Sequence, residues 1–292
     1  MESNILTEVF LPVALAVIML GMGLALIPDD FGRVLHFPRA TIVGLSCQLI
    51  LLPIVAFTML WLIELPPTLA VGVMLLSLCP GGATSNLLSN LARADVALSI
   101  TLTAVSSMIT VFTIPVLVNL SMEHFIGEGK YMELPVLQTM LQIILITIVP
   151  VSLGMLIRWR SPQWAQRSEK PVKVASVVFI VLVIIAVIVR ERDNIAGYFV
   201  QVGVIMLLIN TVILVLGYFV SRIFRLSHPQ CSAISIESAI QNGTLAITIA
   251  TSSMLLNNSE MSIPAAVYSM QMFVTGGVAV YWFSRTYMFD RA

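Results

Sequence analysis

Residues 68–92 read TLAVGVMLLSLCPGGATSNLLSNLA, a run without a single charge that is interrupted at its middle by Pro80-Gly81-Gly82. An apolar run of about 20 residues crosses the hydrocarbon core as a helix, because only helices and closed barrels satisfy every backbone group there. Proline lacks an N–H and clashes with the preceding turn, and paired glycines release the backbone. The segment therefore reads as a membrane helix broken near its centre.

The rest of the chain agrees. Its 292 residues would allow two soluble domains by length. Apolar residues make up 58%, charged residues 10%, and the mean hydropathy is +0.99. Soluble domains carry nearer 25% charge, so the chain is expected to be an all-α polytopic membrane protein. Fifteen basic and fifteen acidic residues leave no excess for nucleic acid. Cys47, Cys79 and Cys231 show no metal or redox spacing and read as small buried hydrophobes.

Parsing between charged clusters predicts nine spans: 5–27, 40–63, 68–92, 96–120, 134–157, 172–189, 196–221, 229–256 and 262–284. The first is not expected to be a secretory signal, since it opens with Glu2 and Glu8 and no small-x-small site precedes Asp29. Lys and Arg accumulate on the cytoplasmic side. Alternate loops hold twelve of the fifteen: Arg33, Arg39, Arg93, Arg158, Arg160, Arg167, Lys170, Lys173, Arg222, Arg225, Arg285 and Arg291. Lys130, Arg190 and Arg192 fall on the other side. The asymmetry predicts the N-terminus outside and the C-terminus in the cytoplasm.

A second span is also interrupted, by Glu237-Ser238-Ala239-Ile240-Gln241-Asn242-Gly243. Interrupted hydrophobic segments in corresponding positions of two halves point to a transporter binding site. Spans three and eight are five apart and so cross in opposite directions. Each is followed by one last span of its half. This placement predicts an inverted repeat of four spans against five, over about 5–120 and about 134–284, within one transmembrane domain, 1–292.

Glu237 stands alone, since the other fourteen acids fall in loops, tails or span ends. An ionisable group at the bilayer centre costs roughly 2.5–3.5 kcal/mol on insertion scales and is functional by default. It could be a protonated acid bonding a neighbouring helix, a proton relay, or a ligand for a metal cation. Gln241 one turn away and the carbonyls freed by the break favour the cation, because hard cations take oxygen ligands.

Ser99 and Thr103 share one helix face about 6 Å apart along the axis. Such hydroxyls also serve simply as packing groups in membrane helices, and Gln48 can equally bond a neighbouring helix. Apart from Lys173 at the start of the sixth, no Lys or Arg falls inside a span. Either an anion is met by bound cations and by the half-helix N-termini at Gly82–Ser85 and Asn242–Thr244, or the substrate is neutral. His36, His124 and His228 lie in loops without catalytic spacing, so no enzyme is expected. Many convergent oxygens hold ions rather than passing them quickly, which disfavours a channel.

At these residues the chain resembles the bile acid:sodium symporter family. Pro80-Gly81-Gly82-Ala83-Thr84-Ser85-Asn86 is similar to that family's P-G-G-x-x-S-N crossover. The stretch from Asp95 through Leu98, Ser99 and Thr103 resembles its following helix start. Glu237 through Asn242 resembles its E-x-G/A-x-Q-N crossover, and Met19 to Leu24 its opening M-x-x-M-G segment. The departures are Ala83 where some members carry a hydroxyl or amide, Gly243 where Ser is frequent, and Ala94 where Gly often stands.

The resemblance implies two crossed discontinuous helices in a core domain that moves against a panel domain, in the nine-helix form. It implies one sodium site at Ser85, Asn86, Ser99, Thr103 and Glu237. A second would use Gln48, Glu237, Gln241 and the backbone carbonyls of Ser238 and Ile240. Ala83, Thr84, Asn242 and Gly243 would face the substrate. No resident cofactor is implied; two Na+ would be coupling ions. The expected function is sodium-coupled symport of an organic anion, a bile acid or a small carboxylate such as pantoate, by alternating access. The rival is a proton-coupled or uncoupled organic-solute carrier, indifferent to replacing sodium by potassium. The expected partners are the anion, sodium and the lipid bilayer, and the expected location is the cell inner (plasma) membrane.

Overall fold

The computed structural model describes residues 11–129, 134–190 and 195–289. Residues 5–10 of the first predicted span, and Lys130, Arg192 and Arg291 of the charge pattern, lie outside them. In chain order the helices are α1 (Leu11–Ala25), α2 (Pro28–His36), α3 (Pro38–Ser46) and α4 (Leu52–Leu62), then α5 (Pro67–Ser77), α6 (Thr84–Leu91) and α7 (Val96–Ile126). They continue with α8 (Val136–Ile143), α9 (Val149–Arg160), α10 (Pro162–Arg190), α11 (Ile195–Ile223), α12 (His228–Ala239), α13 (Gly243–Thr251) and α14 (Ile263–Phe289). Among the described residues, five stretches are long and apolar enough to cross a membrane: Pro38–Leu62, Val96–Ile126, Val136–Arg160, Val200–Ile223 and Glu260–Thr286. The chain is an all-helical, polytopic membrane protein.

Prolines shape two of these stretches. α3 runs into α4 through a π-helical turn at Cys47–Leu51, and α8 into α9 through another at Ile144–Ile148. Pro53 and Pro150 lack the N–H of an ordinary turn. The residues just before them bond five positions back instead, Leu52 N to the Cys47 carbonyl and Val149 N to that of Ile144. The first widened turn carries Gln48.

The interruptions at 78–83 and 240–242 split two predicted spans into α5–α6 and α12–α13. The breaks lie back to back. Gly82 N donates to the Ile240 carbonyl at 2.8 Å and Asn242 N to that of Pro80 at 2.9 Å, around an antiparallel bridge between Gly81 and Gln241. Residues 80–82 and 240–242 thus exchange equivalent roles. Every residue from Cys231 to Ala250 is buried, which puts the second broken helix at the centre of the molecule.

α1 lies along α9 and α10. Gly23 and Gly154 permit that approach: a Cβ on Gly23 would strike the Val151 backbone, and one on Gly154 the backbone of Leu20, Gly23 and Leu24.

Two sequence expectations shift. Residues 28–36, placed in a loop, form α2, whose entry is fixed by Ile27 N donating to the Asp30 carboxylate at 2.9 Å. α10 begins at Pro162, ten residues before the predicted span, because the charges that end an apolar run do not end a helix.

Candidate functional site

The start of α7 sets the register of the site. Asp95 caps it by accepting from Leu98 N at 3.0 Å, while Asp95 N donates to the Pro229 carbonyl at the start of α12, also at 3.0 Å. The first two turns of α7 then face α12, and Ser99 and Thr103 both reach Glu237. The Glu237 side chain is fully buried. Its Oε2 accepts from Ser85 Oγ at 2.6 Å and Ser99 Oγ at 2.7 Å, and its Oε1 from Thr103 Oγ1 at 2.5 Å. Distances this short are typical of charge-assisted bonds. Ser89, not singled out from sequence, donates to Ser99 Oγ at 3.2 Å and supports the ring from behind. Glu237 makes no ion pair among the described residues.

A second group of buried polar side chains lies in and beside the breaks. Gln48 is fully buried, and neither Oε1 nor Nε2 has a partner. Gln241 Nε2 donates to the Ser238 carbonyl at 2.8 Å, leaving Gln241 Oε1 without a partner, and Ser238 Oγ and Asn86 Oδ1 share that condition. A buried polar atom left unpaired costs about 1–3 kcal/mol, and native proteins contain few. The Ile240 carbonyl is engaged by Gly82 N. Ser85, Ser99 and Thr103 thus come together directly on Glu237, whereas Asn86 stands at the cavity edge and bonds none of them.

Gly81 is the space in which the Glu237 carboxylate and the Gln48 amide meet. A Cβ there would collide with the Glu237 carboxylate and come within 2.9 Å of Gln48 Nε2. Two further residues, Asn210 and Tyr268, hold the end of α12. Asn210 Nδ2 and Tyr268 Oη both donate to the Ala239 carbonyl, at 2.8 and 2.9 Å. Nothing in sequence distinguishes them from packing residues, because their partner is a carbonyl freed by a break 29 residues away.

A cavity of about 320 Å³ opens beside the crossover. Ala83, Thr84, Asn242 and Gly243 all line it, as do Asn86, Thr103 and Gln241. Its opposite wall is α1, at Ile18, Met19 and Met22. Asn242 Oδ1 caps α13 by accepting from Leu245 N at 3.0 Å. At Gly243 the missing side chain leaves room for Ser269 Oγ of α14, so a hydroxyl reaches this wall from another helix.

From sequence an anion lacks a basic partner buried within the spans, because Arg158 falls just beyond the apolar run. α9 continues to Arg160, however, and Arg158 forms part of the cavity wall, its Nη1 donating to the Leu24 carbonyl at 3.2 Å. The signal was Gly154, one turn earlier, which brings α9 against α1.

Residues 12–198 match the Sodium Bile acid symporter family. The chain is 29% identical over 277 residues to "Uncharacterized sodium-dependent transporter YocS" of Bacillus subtilis (strain 168), covering 94% of this chain and 83% of that protein. It is 30% identical over 278 residues to "Probable sodium/metabolite cotransporter BASS1, chloroplastic" of Arabidopsis thaliana, covering 91% of this chain and 64% of the relative. It is 27% identical over 252 residues to the human "Ileal sodium/bile acid cotransporter", covering 85% and 71%.

Proposed function

The chain belongs to the sodium bile acid symporter family, whose members are membrane transporters and not enzymes, and from that premise we propose that it is a sodium-coupled symporter of a small organic anion. The observation that carries this reading is Glu237: a fully buried carboxylate with three hydroxyl donors and no basic partner among the described residues. A cation beside it neutralises a charge that the hydrocarbon core penalises. Ser85, Asn86, Ser99, Thr103 and Glu237 would take one sodium ion. Gln48, Glu237, Gln241 and the carbonyls of Ser238 and Ile240 would take the second.

The choice between sodium and a proton turns on the orphaned oxygens. A proton on Glu237 would cancel the charge but leave Gln48 Oε1, Gln241 Oε1 and Asn86 Oδ1 unpaired. A hard cation takes oxygens of this kind as ligands. The sodium reading therefore uses groups that the proton reading leaves at a cost.

Nine crossings in inverted sets of four and five, with the N-terminus outside, fit the two antiparallel breaks. α1, α9 and α10, packed on one another, would form the panel. The hydrogen-bonded breaks would move as one body with the core. The cavity reaches the ends of α6 and α9, at Asn90 and Arg158. In that orientation these ends would be cytoplasmic, and the cavity would be the inward-facing one of an alternating-access cycle. Its volume lies at the low end of ligand pockets, which suits a compact carboxylate. Sodium would couple to transport by binding the anion-loaded arrangement more tightly than the empty one.

The test is uptake of labelled pantoate and pyruvate into proteoliposomes under an inward sodium gradient, a potassium gradient or a proton gradient. Accumulation with sodium alone is expected. Equal uptake in potassium, or uptake driven by protons, would overturn the proposal.

A further inference from the structure

We infer that Arg158 is the group that reads the substrate's negative charge, binding one carboxylate between the panel wall and the crossover; this deepens, and rests on, the symport reading above. Of the described residues lining the cavity, Arg158 alone is ionisable. Its position is built rather than incidental. Gly154 presses α9 onto the end of α1, where an added Cβ would meet the backbone of Leu20, Gly23 and Leu24. Arg158 follows one helical turn later on the same face. Its Nη1 donates to the carbonyl of Leu24, in the last turn of α1, where carbonyls lack intrahelical partners.

That contact fixes the guanidinium at the cavity's edge but uses one of its five N–H donors. Arg158 has no carboxylate partner among the described residues, so the remaining fork is available to an acid in the cavity. A carboxylate accepts such a fork through two parallel bonds, which fix its orientation as well as its charge. Across the cavity stand Thr84 and Thr244, in the first turns of α6 and α13, whose amides favour negative charge. An anion that spans the cavity would meet Arg158 on α9 and the crossover on α6 and α13. A neutral analogue keeps the apolar contacts with α1 but loses this bridge. The ligand class is a compact organic monocarboxylate.

Full-length protein purified in sodium would be unfolded thermally with pantoate, with pyruvate and with the uncharged amide of each, as wild type, Arg158→Gln and Arg158→Lys. Gln keeps an N–H for the Leu24 carbonyl while removing the charge. In the wild type a carboxylate is expected to raise the midpoint and its amide to leave it unchanged. Arg158→Gln should bind the carboxylate about ten- to a hundredfold more weakly, and Arg158→Lys should recover part of the loss. Wild-type carboxylate affinity in Arg158→Gln, an amide binding as well as its acid, or no wild-type response to either acid would each overturn the assignment. Should Arg158→Gln not fold, Arg158→Lys decides alone, with several-fold weaker binding expected and equal binding fatal. The sodium-against-potassium shift should persist in every variant. Its absence from the wild type would instead count against the sodium reading, whatever Arg158 does.

Discussion

Replacing Gly81 by alanine adds one methyl group at the place where the proposed ion ligands converge, without removing any of them. The built Cβ collides with the Glu237 carboxylate, lies 3.0 Å from its Cδ and stands 2.9 Å from Gln48 Nε2. The backbone cannot retreat freely. Pro80 and Gly82 on either side are bonded to Asn242 N and the Ile240 carbonyl, at 2.9 and 2.8 Å. Moving the chain therefore breaks two backbone bonds worth about 1 kcal/mol each. Moving the carboxylate instead breaks its bond to Thr103, about 1.5–3 kcal/mol for a charged acceptor. Overpacking a filled site costs about 1–3 kcal/mol in general, so either route amounts to roughly 2–3 kcal/mol. If that loss falls on the ion-binding arrangement, sodium affinity drops roughly thirty- to a hundred-and-fifty-fold. The assay is a sodium titration of the thermal midpoint in detergent, at constant ionic strength with potassium as the balancing cation. Gly277→Ala on α14, where a Cβ meets nothing within 4 Å, is the control and should titrate as wild type. Wild-type sodium affinity in Gly81→Ala would refute the placement of the ion beside this carboxylate.

Other changes probe the same centre. Thr103→Val keeps the shape but removes the donor to Oε1, and Ser99→Ala removes one of two donors to Oε2; each should weaken sodium about ten- to a hundredfold in the same titration. Tyr268→Phe leaves Asn210 as sole donor to the Ala239 carbonyl and should cost about 1 kcal/mol. Adding Asn210→Leu should cost more than the two single changes summed, because the carbonyl then has no donor. A double-mutant cycle on thermal stability reads this coupling.

The breaks and the buried acid were legible because they violate strong rules. A proline with two glycines inside an uncharged run, and a single acid in mid-span, are conspicuous against a membrane background. Spacing places Gln241 one turn from Glu237 and Ser99 beside Thr103 on one helix face, and the family resemblance is what joins Ser85, Ser99 and Thr103 to the acid. Arg158 was hidden for a physical reason: hydropathy marks where the hydrocarbon ends, not where a helix ends. α9 carries its last turn, with the arginine, past the apolar run and back over the cavity. The early start of α10 has the same origin. Ser89, Asn210 and Tyr268 were hidden differently. Hydroxyls and amides are common in membrane helices, and only the tertiary contacts show which ones complete the site. Gly81 was legible as a helix breaker, but its second role depends on a carboxylate 156 residues later in the chain.

The central claim is that Glu237 holds a sodium ion in the membrane interior. The most direct measurement is thermal unfolding of the detergent-purified protein in sodium and in potassium at equal ionic strength, for wild type and Glu237→Ala. An ion bound only by the folded state stabilises it by about 2.7 kcal/mol at a hundredfold excess over Kd. The account predicts a sodium-specific rise in the wild-type midpoint that is lost in Glu237→Ala. Equal midpoints in the two salts for the wild type, or a sodium-specific rise that survives in Glu237→Ala, would contradict it.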